Sequence, residues 1–362
     1  MNGQNIDQNY SRPQVRSSGF MNSCLMMILG FALGCVLLFI GSIIIIKSLS
    51  SGVSNVVGQI ASNKPQSLGD KYRYKVISGS EQSGNGILVV PVNGIIIGRV
   101  EPSLGGSQYV SAEEICEILE LAGKNSMIKG IIISIDSPGG EVVASDKIYR
   151  AILDLRKKRI PVVAQMGSLA ASGGYYVAAG CDYIIANPMT TTGSIGVIMS
   201  ALKYYQLMEK IGVATENYTS GAMKDMLSGS RPTGLEEKTL VQQHVNAVYD
   251  QFVQIVADGR PKLSIEKIKG TEIGDGRIFL GTQAKELDLV DAIGYEEDAV
   301  NKVAELAGVA KYHVVKVERG FSLMNLLMSA ETVLKPTSIT LPGAAPYKLE
   351  MGKLYFLPNF GQ

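Results

Sequence analysis

The sequence predicts a mixed α/β fold built around a largely parallel sheet, from the alternation of its segments and from its composition. Short runs rich in Val and Ile, such as residues 128–136 and 160–166, alternate with runs of helical length, such as residues 146–158. Alternation of this kind is typical of βαβ units, whose strands run parallel. The composition agrees, because 46% hydrophobic residues and 40 glycines in a chain of 362 residues suit an α/β protein with a sizeable core.

The N-terminal part of the sequence predicts a membrane anchor and a tether. Residues 1–20 are polar and predict an unstructured tail. Residues 24–46 carry no charge, and at ~1.5 Å per residue they span ~34 Å, enough for a ~30 Å hydrocarbon core. We therefore predict a transmembrane helix over 21–47 rather than a cleaved signal peptide, whose apolar core is typically ~7–15 residues. Residues 48–84, rich in Ser, Gly, Asn and Gln, predict a tether.

The globular domain is predicted over residues 85–318. It opens at 86–98 with two short strands, and Ser111 then predicts the N-cap of an amphipathic helix. Further strands and helices follow in alternation, including a strand within 181–188. Residues 319–362 carry apolar stretches outside any clear βαβ unit and predict a C-terminal tail, packed on its own domain, on a neighbouring subunit or on a membrane.

Charge and metal-binding residue types exclude several classes of function. The 34 basic and 33 acidic residues leave a net charge of +1 and are spread along the chain, so no footprint for nucleic acid is visible. His244 and His313 lack the neighbours of a metal site and a convincing acidic orienter, so both are predicted to be non-catalytic. The four cysteines form neither a CxxC pair nor a regular framework and are predicted to be buried hydrophobic residues. We therefore expect no nucleic-acid partner and no metal.

The candidate nucleophile is Ser172, which lies between Ala171 and the pair Gly173-Gly174. Small neighbours allow another backbone to approach closely, as attack on a peptide carbonyl requires. The apolar run that follows predicts a helix starting at or just after Ser172, where the helix dipole and the N–H of Gly173 favour developing negative charge. From this segment alone, a small-residue packing site between helix and sheet is the alternative.

Two further segments could supply groups to this serine. The SPGG segment (137–140) offers unobstructed backbone N–H groups, which suits an oxyanion hole or a phosphate cradle, with a tight strand-to-helix turn as the alternative. Gly139 precedes Ser172 by 33 residues, about one βαβ repeat, so both are expected on neighbouring strand tips. Lys224 lies among Gly, Ala and two Met, an apolar setting that favours the neutral amine of a general base. The alternative is a surface lysine paired with Asp225.

Five segments in chain order resemble bacterial signal peptide peptidase A: GILVVPVNGIIIG, SIDSPGGEVVASDKIY, GSLAASGGYYVAAGCDYIIANPMTTTGSIGVIM, SGAMKDMLS and DGRIFLGTQAKELDLVDAIG. The resemblance implies a membrane-anchored Ser-Lys protease with the ClpP/crotonase fold of repeated ββα units. It implies that Ser172 is the nucleophile and Lys224 the general base. It further implies that Ser194 orients the lysine and that Gly139 and Gly173 supply the oxyanion-hole N–H donors.

The resemblance covers roughly residues 86–300 and one copy of a domain that the family's long form carries twice, so the short form is expected. The implied function is a serine endopeptidase that degrades signal peptides left in the membrane after preprotein processing, through an acyl-enzyme and without a cofactor. By the same resemblance, the domain is expected on the non-cytoplasmic side of the cell membrane and residues 1–20 are expected to form a cytoplasmic tail, although the charges flanking the apolar run are nearly balanced.

The resemblance also bears on how copies of the chain assemble, and two alternative functions are open. If the long form's geometry is retained, the dyad forms between adjacent protomers of a closed homo-oligomeric ring, for which eight copies are expected. One alternative function is a related Ser-Lys protease that cleaves hydrophobic segments of intact membrane proteins. The other is a crotonase-type acyl-CoA enzyme, which would leave the Ser172 and Lys224 segments unexplained.

Overall fold

The computed structural model describes residues 67–68, 72–100, 108–319 and 355–356. These residues belong to one compact unit. The predicted cytoplasmic tail and the predicted transmembrane helix over 21–47 lie outside the described residues, as does most of the predicted C-terminal tail. Within the described ranges, no helix combines the length and the apolarity that a membrane crossing requires.

Helices and strands alternate over much of the described chain. The helices are α1 (Ala112–Ala122), α2 (Val142–Lys157), α3 (Gly173–Ala179), α4 (Tyr205–Lys210), α5 (Leu235–Gly259), α6 (Ile265–Gly270), α7 (Gly281–Glu286) and α8 (Glu296–Ala307). The strands are β1 (Ser67–Leu68), β2 (Tyr72–Gly79), β3 (Gly86–Asn93), β4 (Ile95–Ile97), β5 (Tyr109–Ser111), β6 (Ile128–Ser137), β7 (Gly140–Glu141), β8 (Val162–Ala171), β9 (Tyr183–Ala186), β10 (Thr191–Gly193), β11 (Ile278–Leu280), β12 (Ala292–Ile293), β13 (His313–Arg319) and β14 (Tyr355–Phe356).

The larger sheet of the described residues has the strand order β1-β2-β13-β3-β6-β8-β10-β11, with β9 added to β8 and β12 to β9. Strands β13, β3, β6, β8 and β10 run parallel to one another. Strand β2 pairs antiparallel with β13, and β11 pairs antiparallel with β10. The predicted mixed α/β fold with a largely parallel sheet is therefore confirmed.

Both faces of the sheet are covered, which explains the unbroken apolar run of β6. Ile131 belongs to the larger hydrophobic cluster, together with Ile148 of α2 and Phe252 of α5. Its neighbour Ile132 points to the other face and packs in a second cluster with Val303 of α8. Since successive strand residues face opposite sides of a sheet, a strand buried on both sides has no polar alternation.

Strand β2 corrects one boundary predicted from the sequence. The tether was expected to extend over 48–84, but residues 72–79 form a strand of the larger sheet, paired with β13. Tyr72 and Tyr74 are buried, and the Tyr72 hydroxyl donates to Glu117 Oε2 at 2.7 Å. Polar residues alternate with these tyrosines on the exposed face, so the average composition of the segment resembled that of a linker. The domain therefore includes Tyr72.

A smaller sheet with the order β14-β7-β4-β5 lies against this domain. Its strand β7 begins directly after Gly139, and a Cβ on Gly140 would overlap the Ile96 carbonyl of β4. Tyr355 lies opposite Glu141 and Phe356 opposite Gly140 in antiparallel register. Two residues of the predicted C-terminal tail thus pair with the domain of their own chain.

Candidate active site

Ser172 joins the end of β8 to the start of α3. Its φ of 53° and ψ of −114° lie in a region that non-glycine residues rarely adopt. Such strain persists where the surroundings impose it, and here the Ser172 N–H donates to Gly193 O at 2.8 Å while its carbonyl accepts from Tyr176 N at 2.8 Å. The helix begins at Gly173, as predicted.

The hydroxyl of Ser172 is buried and unpartnered. The residue has no exposed surface, and its Oγ has no hydrogen-bond partner among the described residues. A buried polar group left unsatisfied costs about 1–3 kcal/mol, so a fold that retains one calls for an explanation. Because the Ser172 Oγ has no partner among the described residues, Lys224 of the same chain does not hydrogen-bond to it.

The SPGG segment meets the Ser172 turn, as the spacing predicted. Strands β6 and β8 are parallel neighbours, with Ser137 opposite Ala170. A Cβ on Gly173 would lie 3.1 Å from Gly139 Cα, 3.0 Å from Gly140 N and 2.6 Å from Ser145 Oγ. Only glycine at position 173 allows the two segments to approach this closely.

The SPGG segment contains a second candidate for an oxyanion donor besides Gly139. The N–H of Gly139, which was the expected donor, donates to the buried Ser137 Oγ at 3.1 Å. The N atom of Gly140 would lie 3.0 Å from a Cβ on Gly173, so this N–H group is close to the Ser172 turn. Gly140 is thus a further candidate donor. Because two glycines follow each other in the motif, the sequence could not decide between their N–H groups.

Ser194 occupies the equivalent position on the next strand. Gly193 lies opposite Ala171 in the parallel pair β10–β8, so Ser194 follows β10 as Ser172 follows β8. Ser194 is buried, has a φ of 52° and donates its N–H to Arg277 O at 2.8 Å. Gly139, Ser172 and Ser194 therefore follow the carboxyl ends of three adjacent strands, where active sites of such sheets usually lie.

Lys224 lies in different surroundings from those expected. It belongs to a turn over residues 222–227, and its side chain is exposed. Its neighbours Gly221 and Ala222 are also exposed, so the small and flexible residues around it do not form an apolar pocket within this chain. The alternative also fails, because Asp225 pairs with Arg231 Nη2 at 2.7 Å, and none of the ion pairs found among the described residues involves Lys224.

The remaining titratable candidates lie away from this site. His244 is exposed on α5, and the Nδ1 of buried His313 lies 3.0 Å from Ser83 Oγ. Cys116 and Cys181 are free thiols, and burial raises the pKa of both. In the described ranges, no group of three or more His, Cys, Asp or Glu side chains is arranged to hold a metal ion.

The chain is similar in sequence to a known peptidase family and to several named proteases. Residues 154–310 match the family model described as Peptidase family S49. The chain is 40% identical over 221 residues to "Putative signal peptide peptidase SppA" of Enterococcus faecium, covering 61% of this chain and 63% of that protein. It is 34% identical over 224 residues to Protease 4 of Haemophilus influenzae, covering 61% of this chain and 35% of that protein.

A third relative is Serine protease SPPA, chloroplastic, of Arabidopsis thaliana, 36% identical over 201 residues that cover 55% of this chain and 29% of that protein. The chain thus spans less than two thirds of the length of each of these three relatives. The parallel sheet described above fits the ClpP-like fold that the sequence predicted.

Proposed function

We propose that this chain, whose residues 154–310 match peptidase family S49, is an SppA-type serine peptidase in which Ser172 is the nucleophile and Lys224 the general base of peptide hydrolysis. The observation that carries the proposal is the Ser172 turn: its backbone is strained, its buried hydroxyl has no hydrogen-bond partner among the described residues, and the next residue, Gly173, packs closely against the Gly139–Gly140 segment. The family match also favours a peptidase over the acyl-CoA alternative.

The reaction follows from the chemistry of these groups. The neutral Lys224 amine takes the proton of the Ser172 hydroxyl as Oγ attacks the scissile carbonyl carbon. The oxyanion accepts hydrogen bonds from Gly173 N–H and from the Gly139–Gly140 segment, each worth about 3 kcal/mol. Lys224 returns the proton to the leaving amine, which completes the acyl-enzyme. The lysine then activates the water that hydrolyses the ester, while Ser194 orients the amine. No step requires a cofactor.

The base comes, in this proposal, from a neighbouring copy of the chain. Support comes from the unpartnered Ser172 hydroxyl and from the exposure of Lys224. The segment before Lys224 also exposes large apolar side chains, with Leu202 72% and Tyr218 88% exposed, and apolar surface of this kind suits a contact with another protein. Head-to-tail contacts of one copy with the next close into a ring, for which eight copies are proposed.

The proposed substrates are signal peptides left in the membrane after preprotein processing. Support comes from the uncharged run over 24–46 and from the name of the Enterococcus faecium relative, a putative signal peptide peptidase. An enzyme anchored beside such peptides, with its domain on the non-cytoplasmic side of the cell membrane, would meet them directly. Protease added to intact spheroplasts is then expected to digest the domain. Protection that is lost only on lysis would reverse the orientation.

Covalent labelling tests the nucleophile. A serine-directed fluorophosphonate is expected to modify Ser172 in the wild-type chain, as located by peptide mass mapping, and to leave Ser172→Ala unmodified. Labelling at another serine, together with peptide hydrolysis retained by Ser172→Ala, would contradict the proposal.

A further inference from the structure

Three charged side chains hold the turn that bears Lys224, and we call Asp225, Arg231 and Glu237 the Arg231 cluster. The Arg231 guanidinium donates to Asp225 through Nη2 at 2.7 Å and Nε at 2.9 Å, one bond to each carboxylate oxygen. Its Nη1 donates to Glu237 Oε2 at 2.9 Å. A planar guanidinium can make this two-pronged contact, whereas an ammonium group cannot. Arg231 thus ties the turn to the first turn of α5.

Glu237 continues the connection into the backbone. Its side chain is 3% exposed, its Oε1 accepts the N–H of Leu227 at 2.5 Å, and its Oε2 accepts the N–H of Gly234 at 3.0 Å. Leu227 has a φ of 65°, a conformation that a leucine does not adopt without support. The hydrogen bond from Arg231 is the main reason why the pKa of Glu237 lies below its usual range. The cluster therefore fixes a strained turn three residues after Lys224.

Asp225 matters because it follows Lys224 directly. An unpaired carboxylate close to a lysine favours the charged amine, which cannot accept a proton from serine. Here the carboxylate is bound by Arg231 and also by the side chain of Asn217, and both contacts lower its pKa. Of the other charged groups around the turn, Lys203 donates to Ser228 O at 2.7 Å, and His244 lines a cavity beside Met226.

We infer that Arg231 is a positioning residue for the general base, which fixes the turn of Lys224 and withholds the Asp225 carboxylate from the Lys224 amine. The inference rests on the proposed role of Lys224. It adds a residue that lies outside the dyad, its orienting serine and the oxyanion donors.

The test is the pH dependence of peptide hydrolysis by the full-length chain in detergent. Arg231→Met leaves the Asp225 carboxylate without its cationic partner, so the acid limb of kcat is expected to move about one pH unit or more towards higher pH. Loosening of the turn is expected to lower kcat by ~10-fold to ~100-fold with KM nearly unchanged. In the double variant Arg231→Met/Asp225→Asn, the acid limb is expected to return to its wild-type position while kcat stays low.

Arg156→Met is the matched control. Arg156 resembles Arg231 in its contacts and exposure: it pairs with Asp182 at 2.6 Å, and its side chain is 36% exposed, against 33% for Arg231. It differs in location, because Asp182 accepts the N–H of Val162, at the end of β8 that lies away from Ser172. This variant loses a comparable ion pair, and its acid limb and kcat are expected to match wild type. Arg231→Lys is the milder second variant, expected to fold like wild type and to show a smaller shift of the acid limb.

The outcomes separate the inference from the proposed function. A purely structural role would lower the melting temperature of Arg231→Met but leave kcat per folded chain and the acid limb unmoved, and this result would overturn the inference. If Lys224→Ala is inactive while Arg231→Met and Arg231→Lys match wild type, the inference alone is wrong. If Lys224→Ala keeps full activity, the proposed function itself is wrong.

Discussion

Ser172 and Lys224 are supported by contrasting regions of the molecule. Ser172 lies at the tips of β6, β8 and β10, where Ala170, Ala171 and Thr192 are fully buried. Lys224 lies in a stretch in which no residue from 196 to 228 is buried, and where α4 contributes nothing to the core. Ser172 is thus fixed by a packed sheet, whereas the turn of Lys224 is fixed by local polar contacts. Formation of the proposed dyad can therefore depend on assembly, whereas the fold around Ser172 does not.

Substitution of Ser172 or of Lys224 tests whether these two regions supply one catalytic unit, and it is expected to have the greatest effect on activity. Ser172→Ala and Lys224→Ala are each expected to reduce peptide hydrolysis by at least about 10⁴-fold, because residues that act as a unit fail together. Lys224 is exposed, and Ser172→Ala removes a buried hydroxyl that has no partner among the described residues, so the far-UV circular dichroism should match wild type and the melting temperature should not fall. Near-wild-type turnover of either folded variant would show that the dyad is assigned wrongly.

A pair of glycine substitutions sharpens the contrast. Gly173→Ala places a Cβ 2.6 Å from Ser145 Oγ and 3.0 Å from Gly140 N, so we expect displacement of the oxyanion segment and a ~100-fold to ~1000-fold loss of kcat. Gly221→Ala, three residues before Lys224, meets no atom within 4 Å and is expected to keep both kcat and melting temperature. Equal tolerance at the two positions would contradict the account of close packing around Ser172.

Ser194→Ala is expected to have a moderate effect. It removes an orienting hydroxyl and not a reacting group, so we expect a ~10-fold loss of kcat. Steady-state kinetics across the pH range measures it. A variant that equals wild type at every pH would assign Ser194 a structural role only.

The smallest expected effect concerns acid stability of the Lys224 turn. Hydrogen bonds to Arg231 are the main reason why the pKa values of Asp225 and Glu237 are lowered in the folded chain. The two carboxylates therefore contribute to stability above their unfolded-state pKa values of ~4, and this contribution is lost as the pH falls through their lower folded-state pKa values. Hydrogen-exchange protection of the Leu227 amide is therefore expected to fall below about pH 4, while that of Ile133 in β6 persists. Parallel loss at both amides would mean that the turn and the sheet unfold together.

The sequence predicted the nucleophile region well because its signals are local. Apolar runs marked β6 and β8, small residues marked the turn at Ser172, and a spacing of one βαβ repeat placed Gly139 beside it. The surroundings of Lys224 were harder to predict, because its exposure depends on which surfaces the chain leaves uncovered. The Arg231 cluster gave no signal, since Asp225 lies six residues before Arg231 in a turn and Glu237 six residues after it in the first turn of α5, so the three residues share no single helix or strand. Strand β2 was missed because its exposed face is polar.

In the shared-site proposal, Lys224 of one copy acts on Ser172 of the next copy. Two inactive variants, each lacking one of these side chains, are therefore expected to restore activity when they assemble together. Full-length Ser172→Ala and Lys224→Ala are co-assembled in equal amounts in detergent, and co-assembly is verified with two different affinity tags. Random mixing leaves about a quarter of the interfaces with an intact serine facing an intact lysine, so about a quarter of wild-type activity is expected. If verified mixed assemblies show no activity above that of each variant alone, the dyad lies within one chain and the claim is contradicted.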